Sequence, residues 1–113
     1  MSEENKTIEL QDEQLMKVSG GAKNNEFDEA TKLLKEAGDR AYAVVREDPF
    51  NTANKKTWEY INIAENVISL NQRSKYIKLA LACLDRHSKM RASDHDYIYK
   101  RLIKSAELTN NCK

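Results

Sequence analysis

The chain is poor in the residues that punctuate or cross-link a polypeptide. Of 113 residues, three are glycine, one is proline and two are cysteine. No run of about 18 apolar residues occurs, which excludes a membrane-spanning helix. Met1 to Asn5 are acidic and polar, so the basic start and apolar stretch of a secretory signal peptide are both missing. A product that leaves the cell would need another route. Nothing reads as a β-strand with turn chemistry, and no glycine-rich phosphate loop is present. Nucleophile, base and orienting group do not occur together, so no enzyme and no catalytic residue is expected. Cys83 and His87 lie one helical turn apart, as two ligands on one face would, but no further Cys or His pair completes a metal site. Helix capping accounts for Asp94 and Asp96 around His95. Neither a metal nor another cofactor is expected.

Charge is what the chain has in quantity. Asp, Glu, Lys and Arg make up 33% of it and the mean hydropathy is -0.79, the composition of a soluble protein. The net charge of +1 conceals an uneven distribution. Residues 1–21 hold two basic and five acidic residues, and residues 22–70 hold seven and nine. Residues 71–113 hold ten basic against four acidic residues, +6 in all. That C-terminal part suits an anionic partner, although a solvated basic face has the same composition.

The apolar spacing past residue 26 is helical. Phe27, Ala30, Leu34, Ala37, Ala41 and Val44 recur at three and four residues, the signature of one buried face. Pro49 ends this helix by pushing Asp48 out of the α region. Gly38 within it marks either a close helix contact or a kink. A second helix is predicted over Thr52 to Leu70, burying Trp58, Ile61, Ala64, Val67 and Ile68, with Asn71 and Gln72 as punctuation. A third runs from about Arg73 to Met90, with Ile77, Ala80, Leu81 and Leu84 inward. Ser93 and Asp96 resemble a capping box opening a fourth helix that carries Ile98, Leu102 and Ala106 to about Leu108. The expected fold is therefore all-α: a small antiparallel four-helix bundle or two stacked helical hairpins.

In that arrangement Cys112 falls about 18 Å from Cys83 at 1.5 Å per residue, beyond disulfide reach. Cys83 reads as a small core residue. Cys112 reads as a free tail thiol or an intermolecular partner. The aromatic residues Trp58, Tyr60, Tyr76, Tyr97 and Tyr99 suit core and rim positions. Tyr97 with Lys100, Arg101 and Lys104 is also a candidate patch for an anionic membrane or a target protein.

Ahead of the helical pattern, residues 1–9 read as disordered, and Asp12 to Ser19 suit a short amphipathic helix. Acids stand at its positive end, Lys17 near its negative end and Gly20 at the C-cap. Residues 20–26 read as a small, polar linker. Leu15 and Val18 share a helix face and Leu10 lies at its start on the same side, a stripe too small to hold a fold but able to dock in a groove. Gly20 and Gly21 lack Cβ atoms, so their backbone can thread a channel closed to side chains.

The segment Leu10 to Gly21, LQDEQLMKVSGG, resembles the double-glycine leader family of bacteriocin and peptide-pheromone precursors. There, apolar residues stand twelve, seven and four positions before a cut that follows Gly-Gly. Leu10, Leu15, Val18, Gly20 and Gly21 match all five positions. Gln14 replaces the usual Glu and Gln11 the frequent Ser. A Gly-Gly pair alone arises by chance in roughly every second chain of this length, and three fixed apolar positions reduce that by about thirtyfold.

The resemblance implies a leader, residues 1–21, recognised through Leu10, Leu15 and Val18 by the papain-like cysteine peptidase domain of an ABC transporter. The cut would follow Gly21, before Ala22. The helical cargo, residues 22–113, would be made in the cytoplasm of a bacterium and secreted, bacteriocin-like or as an effector. Its composition is neither the glycine-rich one of many short bacteriocins nor that of a thioether-modified peptide. The alternative is a cytosolic four-helix interaction protein, such as a bacteriocin immunity protein. A nucleic-acid partner is not expected, since no recognition-helix signature accompanies the +6 segment.

Overall fold

The computed structural model describes residues 21–86 and 89–113. Four helices account for the fold: α1 (Gly21–Glu47), α2 (Thr52–Asn66), α3 (Leu70–Arg86) and α4 (Ala92–Asn111). No strand occurs among the described residues. Each helix packs against two others, α1 on α2 and α4, and α3 on α2 and α4. Antiparallel pairing is visible in the cross-helix contacts. Along α1 and α4, Glu26 meets Asn111, Ala30 meets Ser105, Glu36 meets Arg101 and Arg40 meets Asp94. Along α2 and α3, Ala53 meets Cys83, Tyr60 meets Tyr76 and Ala64 meets Arg73.

The core follows the stripes that periodicity singled out, except that Phe27, Trp58, Val67, Leu81 and Ala106, expected inside, are only half-buried. Ala30, Leu34, Ala37, Ala41 and Val44 of α1 are buried, as are Ile61 and Ala64 of α2, Ile77, Ala80 and Leu84 of α3, and Ile98 and Leu102 of α4. Many are alanine, and small residues let helix axes approach. Gly38 belongs to this pattern. A Cβ built on it would stand 3.3 Å from Cγ2 of Ile61, so of the two readings the glycine marks close contact between α1 and α2.

Helix ends depart from expectation, each for a local reason. Of residues 20–26, expected as linker, 21–26 belong to α1 and Gly20 lies outside the described residues. At the other end Pro49 acts as anticipated, and α1 stops at Glu47. Asn51 then caps α2, its side chain accepting from the Asn54 N–H at 2.9 Å. α2 ends at Asn66 instead of Leu70, with Val67 extended. A longer helix would supply the N–H groups of Ile68 and Ser69 to the carbonyls of Ala64 and Glu65. The Arg73 guanidinium donates to those two carbonyls instead, at 3.1 and 3.2 Å. Ile68, expected inside, is 88% exposed in the connection.

α3 opens at Leu70, so Asn71 and Gln72 lie in its first turn and not before it. Ser69 takes the capping role: its Oγ accepts from the Gln72 N–H and its carbonyl from the Arg73 N–H. The predicted capping box of α4 does not form. Its N-cap is Arg91, with no side-chain capping bond. At the far end α4 runs on to Asn111, with Thr109 buried.

Candidate functional site

Of the residues matching the leader pattern, Leu10, Leu15, Val18 and Gly20 lie outside the described residues. Gly21 and Ala22 open α1. The bond between them therefore falls in a first helical turn, where backbone N–H groups lack intrahelical acceptors. Glycine is a poor helix former by about 1 kcal/mol, and no acidic residue lies in that turn to favour its positive end. Such a turn opens at much lower cost than a helix interior.

The cationic candidates divide between two faces of α4. Tyr97 and Arg101 turn toward α1. Arg101 Cζ lies 3.5 Å from the Tyr97 ring centroid and Arg40 Cζ lies 4.0 Å from it, so two guanidinium groups flank one ring. Arg101 also pairs with Glu36 at 3.1 Å and donates to the Tyr97 carbonyl. Lys100 and Lys104 point outward. Lys100 pairs with Asp96 at 3.1 Å and Lys104 lies 3.9 Å from Glu107. With Tyr99, Ile103 and Glu107 they border a shallow surface depression of about 220 Å³. Tyr97 and Arg101 thus knit α4 to α1, and the outer pair alone faces solvent.

Neither a protein-family model, nor a curated protein, nor a solved structure matches this chain.

Periodicity did not single out two charged clusters. Arg73 is 1% exposed. Besides the two carbonyls ending α2, it donates to Thr31 Oγ1 at 2.8 Å, and its Cζ stands 4.2 Å from the Phe27 ring centroid. One side chain thereby joins α1, α2 and α3. Desolvation lowers its pKa from the ordinary arginine value, opposed by nearby Cys112 and Glu65. The signal was available, because Arg73 shares the inward stripe of Ile77, Ala80 and Leu84. Guanidinium is the natural cation for such a place, its fork serving several acceptors at once.

In the second cluster Asp94, 5% exposed, accepts from Arg40 at 3.0 Å and from Arg91 at 3.0 Å. Arg91 reaches on to Glu47 at 3.2 Å, and its pKa is raised, first by the hydrogen bond to Asp94. Both clusters fasten helix ends together. Asn54 acts likewise, its amide bonding Lys89 in both directions, at 2.8 and 2.9 Å.

Cys83 is buried and its Sγ donates to the Ala53 carbonyl at 3.3 Å. Cys112 lies near Arg73, ten residues along α3 from Cys83, or about 15 Å. No disulfide joins the two cysteines. His87 lies outside the described residues. His95 Nε2 is 3.5 Å from Asp85 and its ring stacks on Tyr99. Among the described residues, no three His, Cys, Asp or Glu side chains are grouped to hold a metal ion.

Proposed function

We propose that this chain is an exported precursor and not an enzyme. Residues 1–21 form a double-glycine leader, read through Leu10, Leu15 and Val18 by the cysteine peptidase domain of an ABC transporter and cut after Gly21. Residues 22–113 are a cargo that folds into a bundle of four antiparallel helices and acts outside the cell, as an effector or in a bacteriocin-like way.

The spacing of five matching residues ahead of Ala22 carries this reading. The fold is compatible with it: among the described residues the buried stripes begin at Ala30, beyond the cut. The packed core and the buried Arg73 favour a folded protein effector over a short membrane-lytic peptide, and the outward Lys100 and Lys104 remain the face for an anionic membrane or target. No step requires a cofactor.

The test is incubation of the full chain with a double-glycine peptidase domain. Release of residues 1–21, blocked by Gly20→Val, is the expected result. An uncut chain, or an intact N-terminus on protein recovered from producing cells, would sink the precursor reading. A cytosolic interaction protein of the immunity type is the second reading, and the four-helix architecture favours it. It predicts an uncut chain that stays inside the cell.

A further inference from the structure

α1 begins at Gly21, so the Gly21–Ala22 bond belongs to a helical turn. In such a turn the carbonyls of Gly21, Ala22 and Lys23 accept from the N–H groups four residues on, those of Asn25, Glu26 and Phe27. Presenting the bond to a peptidase as an extended segment means breaking these hydrogen bonds. Proteolysis of a folded chain acts on its opened form, and its rate follows the population of that form when opening and closing are fast. Whatever holds Asn25 to Phe27 in the helix therefore bears on the cut.

Two of those residues are tied to other helices. The Asn111 amide of α4 donates to Glu26 Oε2 at 3.3 Å, an exposed contact. Phe27 is held twice by one arginine of α3. Its ring lies against the guanidinium, with Arg73 Cζ 4.2 Å from the centroid. Its carbonyl accepts from Thr31 Oγ1 at 3.0 Å, and that same oxygen accepts from Arg73 Nη1 at 2.8 Å. Arg73 cannot swing aside to release Phe27. It is 1% exposed, and its remaining donors are engaged on the Ala64 and Glu65 carbonyls. Phe27 itself is only half-buried and stands outside the core cluster, so its ring acts on the helix end more than on the stability of the bundle.

We propose that the fold gates the cut: Phe27, clasped by Arg73 and Thr31, holds the start of α1 closed around the Gly21–Ala22 bond, so that the peptidase cuts an opened or not yet folded chain faster than the folded one. The gate rests on the leader reading. It leaves the chemistry of the cut unchanged. The C–N bond between Gly21 and Ala22 breaks at the peptidase's cysteine, and one water supplies a hydroxyl to the Gly21 carbonyl carbon and a proton to the Ala22 nitrogen. The clasp sets only the fraction of time for which the bond is presented, and it ties removal of the leader to the state of the cargo behind it.

The test sets the full chain beside a synthetic peptide of residues 1–30, which carries leader and cut but has no α3 to clasp Phe27. A double-glycine peptidase domain is given each in turn, and release of residues 1–21 is timed by mass spectrometry. The peptide should be cut roughly tenfold or more faster than the folded chain. Phe27→Ala should speed the cut of the full chain roughly three- to tenfold and leave the rate on the peptide unchanged. Ile61→Ala weakens the core away from the clasp and should change the rate by less than about twofold, because the opening is local. Amide exchange of Asn25, Glu26 and Phe27, measured without peptidase, should quicken in Phe27→Ala by the factor that the cut does.

An uncut peptide refutes the leader reading itself, and the gate with it. Peptide and full chain cut at equal rates keep the leader reading and overturn the gate. A Phe27→Ala chain that is cut, or exchanges, no faster than the parent overturns the role of the clasp, as does an Ile61→Ala chain cut as fast as Phe27→Ala.

Discussion

Replacing Arg73 by alanine removes the side chain that ends α2 and anchors α3. The guanidinium makes three hydrogen bonds, to the carbonyls of Ala64 and Glu65 and to Thr31 Oγ1, at 2.8 to 3.2 Å. Hydrogen bonds to a charged group contribute about 1.5–3 kcal/mol each when taken singly. They share one side chain, so the three are not additive. Alanine would also strip two helix-terminal carbonyls of their donors and open a cavity beside Phe27. Buried carbonyls left without a donor cost about 1–3 kcal/mol each and the cavity adds to that, so the loss should reach about 3–5 kcal/mol, a large part of the 5–15 kcal/mol that holds a typical domain together.

Methionine keeps the stem volume but none of the donors, so Arg73→Met should cost about 2–3 kcal/mol. Lysine carries the charge but cannot reach three acceptors in one plane, and Arg73→Lys should fall near methionine. Urea unfolding followed by circular dichroism at 222 nm gives the three free energies. In a thermal scan Arg73→Ala should lower the midpoint by about 15 °C or more, at 4–8 °C per kcal/mol. An Arg73→Ala variant within about 1 kcal/mol of the parent, with an unchanged denaturant slope, would refute the assignment of Arg73 as the junction of three helices.

Three further predictions concern packing and charge. Gly38→Ala sets a helix-propensity gain of about 1 kcal/mol against the 3.3 Å approach of Ile61, so unfolding free energy should stay within about 1 kcal/mol of the parent; Gly38→Val should lose more than about 2. Asp94→Asn should destabilise by about 1–2 kcal/mol in the same assay, because its side chain is 7% exposed between Arg40 and Arg91. Lys100→Ala, which breaks an exposed pair, should change less than about 0.5. Ile68→Ser should be silent within about 0.5 kcal/mol, whereas Ile61→Ala should cost about 2–5; equal losses at the two positions would put Ile68 back in the core.

Helix number, the inward stripes and the stop at Pro49 were legible because each depends on residues three or four apart. What was not legible depends on partners distant in sequence. Ile68 continues the apolar pattern of α2, yet the helix has ended before it, since an arginine five residues later takes the carbonyls it would have used. Ser93 and Asp96 have capping-box chemistry, but with Asp94 drawn to Arg40, 54 positions away in the chain, the helix starts at Ala92. The polar residues Arg73, Asn54 and Ser105 stand on inward stripes, where a polar group signals a buried hydrogen bond whose partner spacing alone does not identify. Tyr97 and Arg101 read as a patch with Lys100 and Lys104 from proximity in sequence. A turn of helix separates what faces α1 from what faces solvent.

The pairing of α1 with α4 has a consequence in time. The first of the described helices finds its long antiparallel partner only in the fourth. Ala30, for example, gives its carbonyl to Ser105, which is synthesised 75 residues later. At about 5–20 residues per second, that interval lasts roughly 4 to 15 s. During it the inward face of α1 has α2 but not α4 to cover it. α1 is therefore closed only once α4 has been made, and loss of the residues from Asp94 onward would uncover α1 as much as it shortens α4.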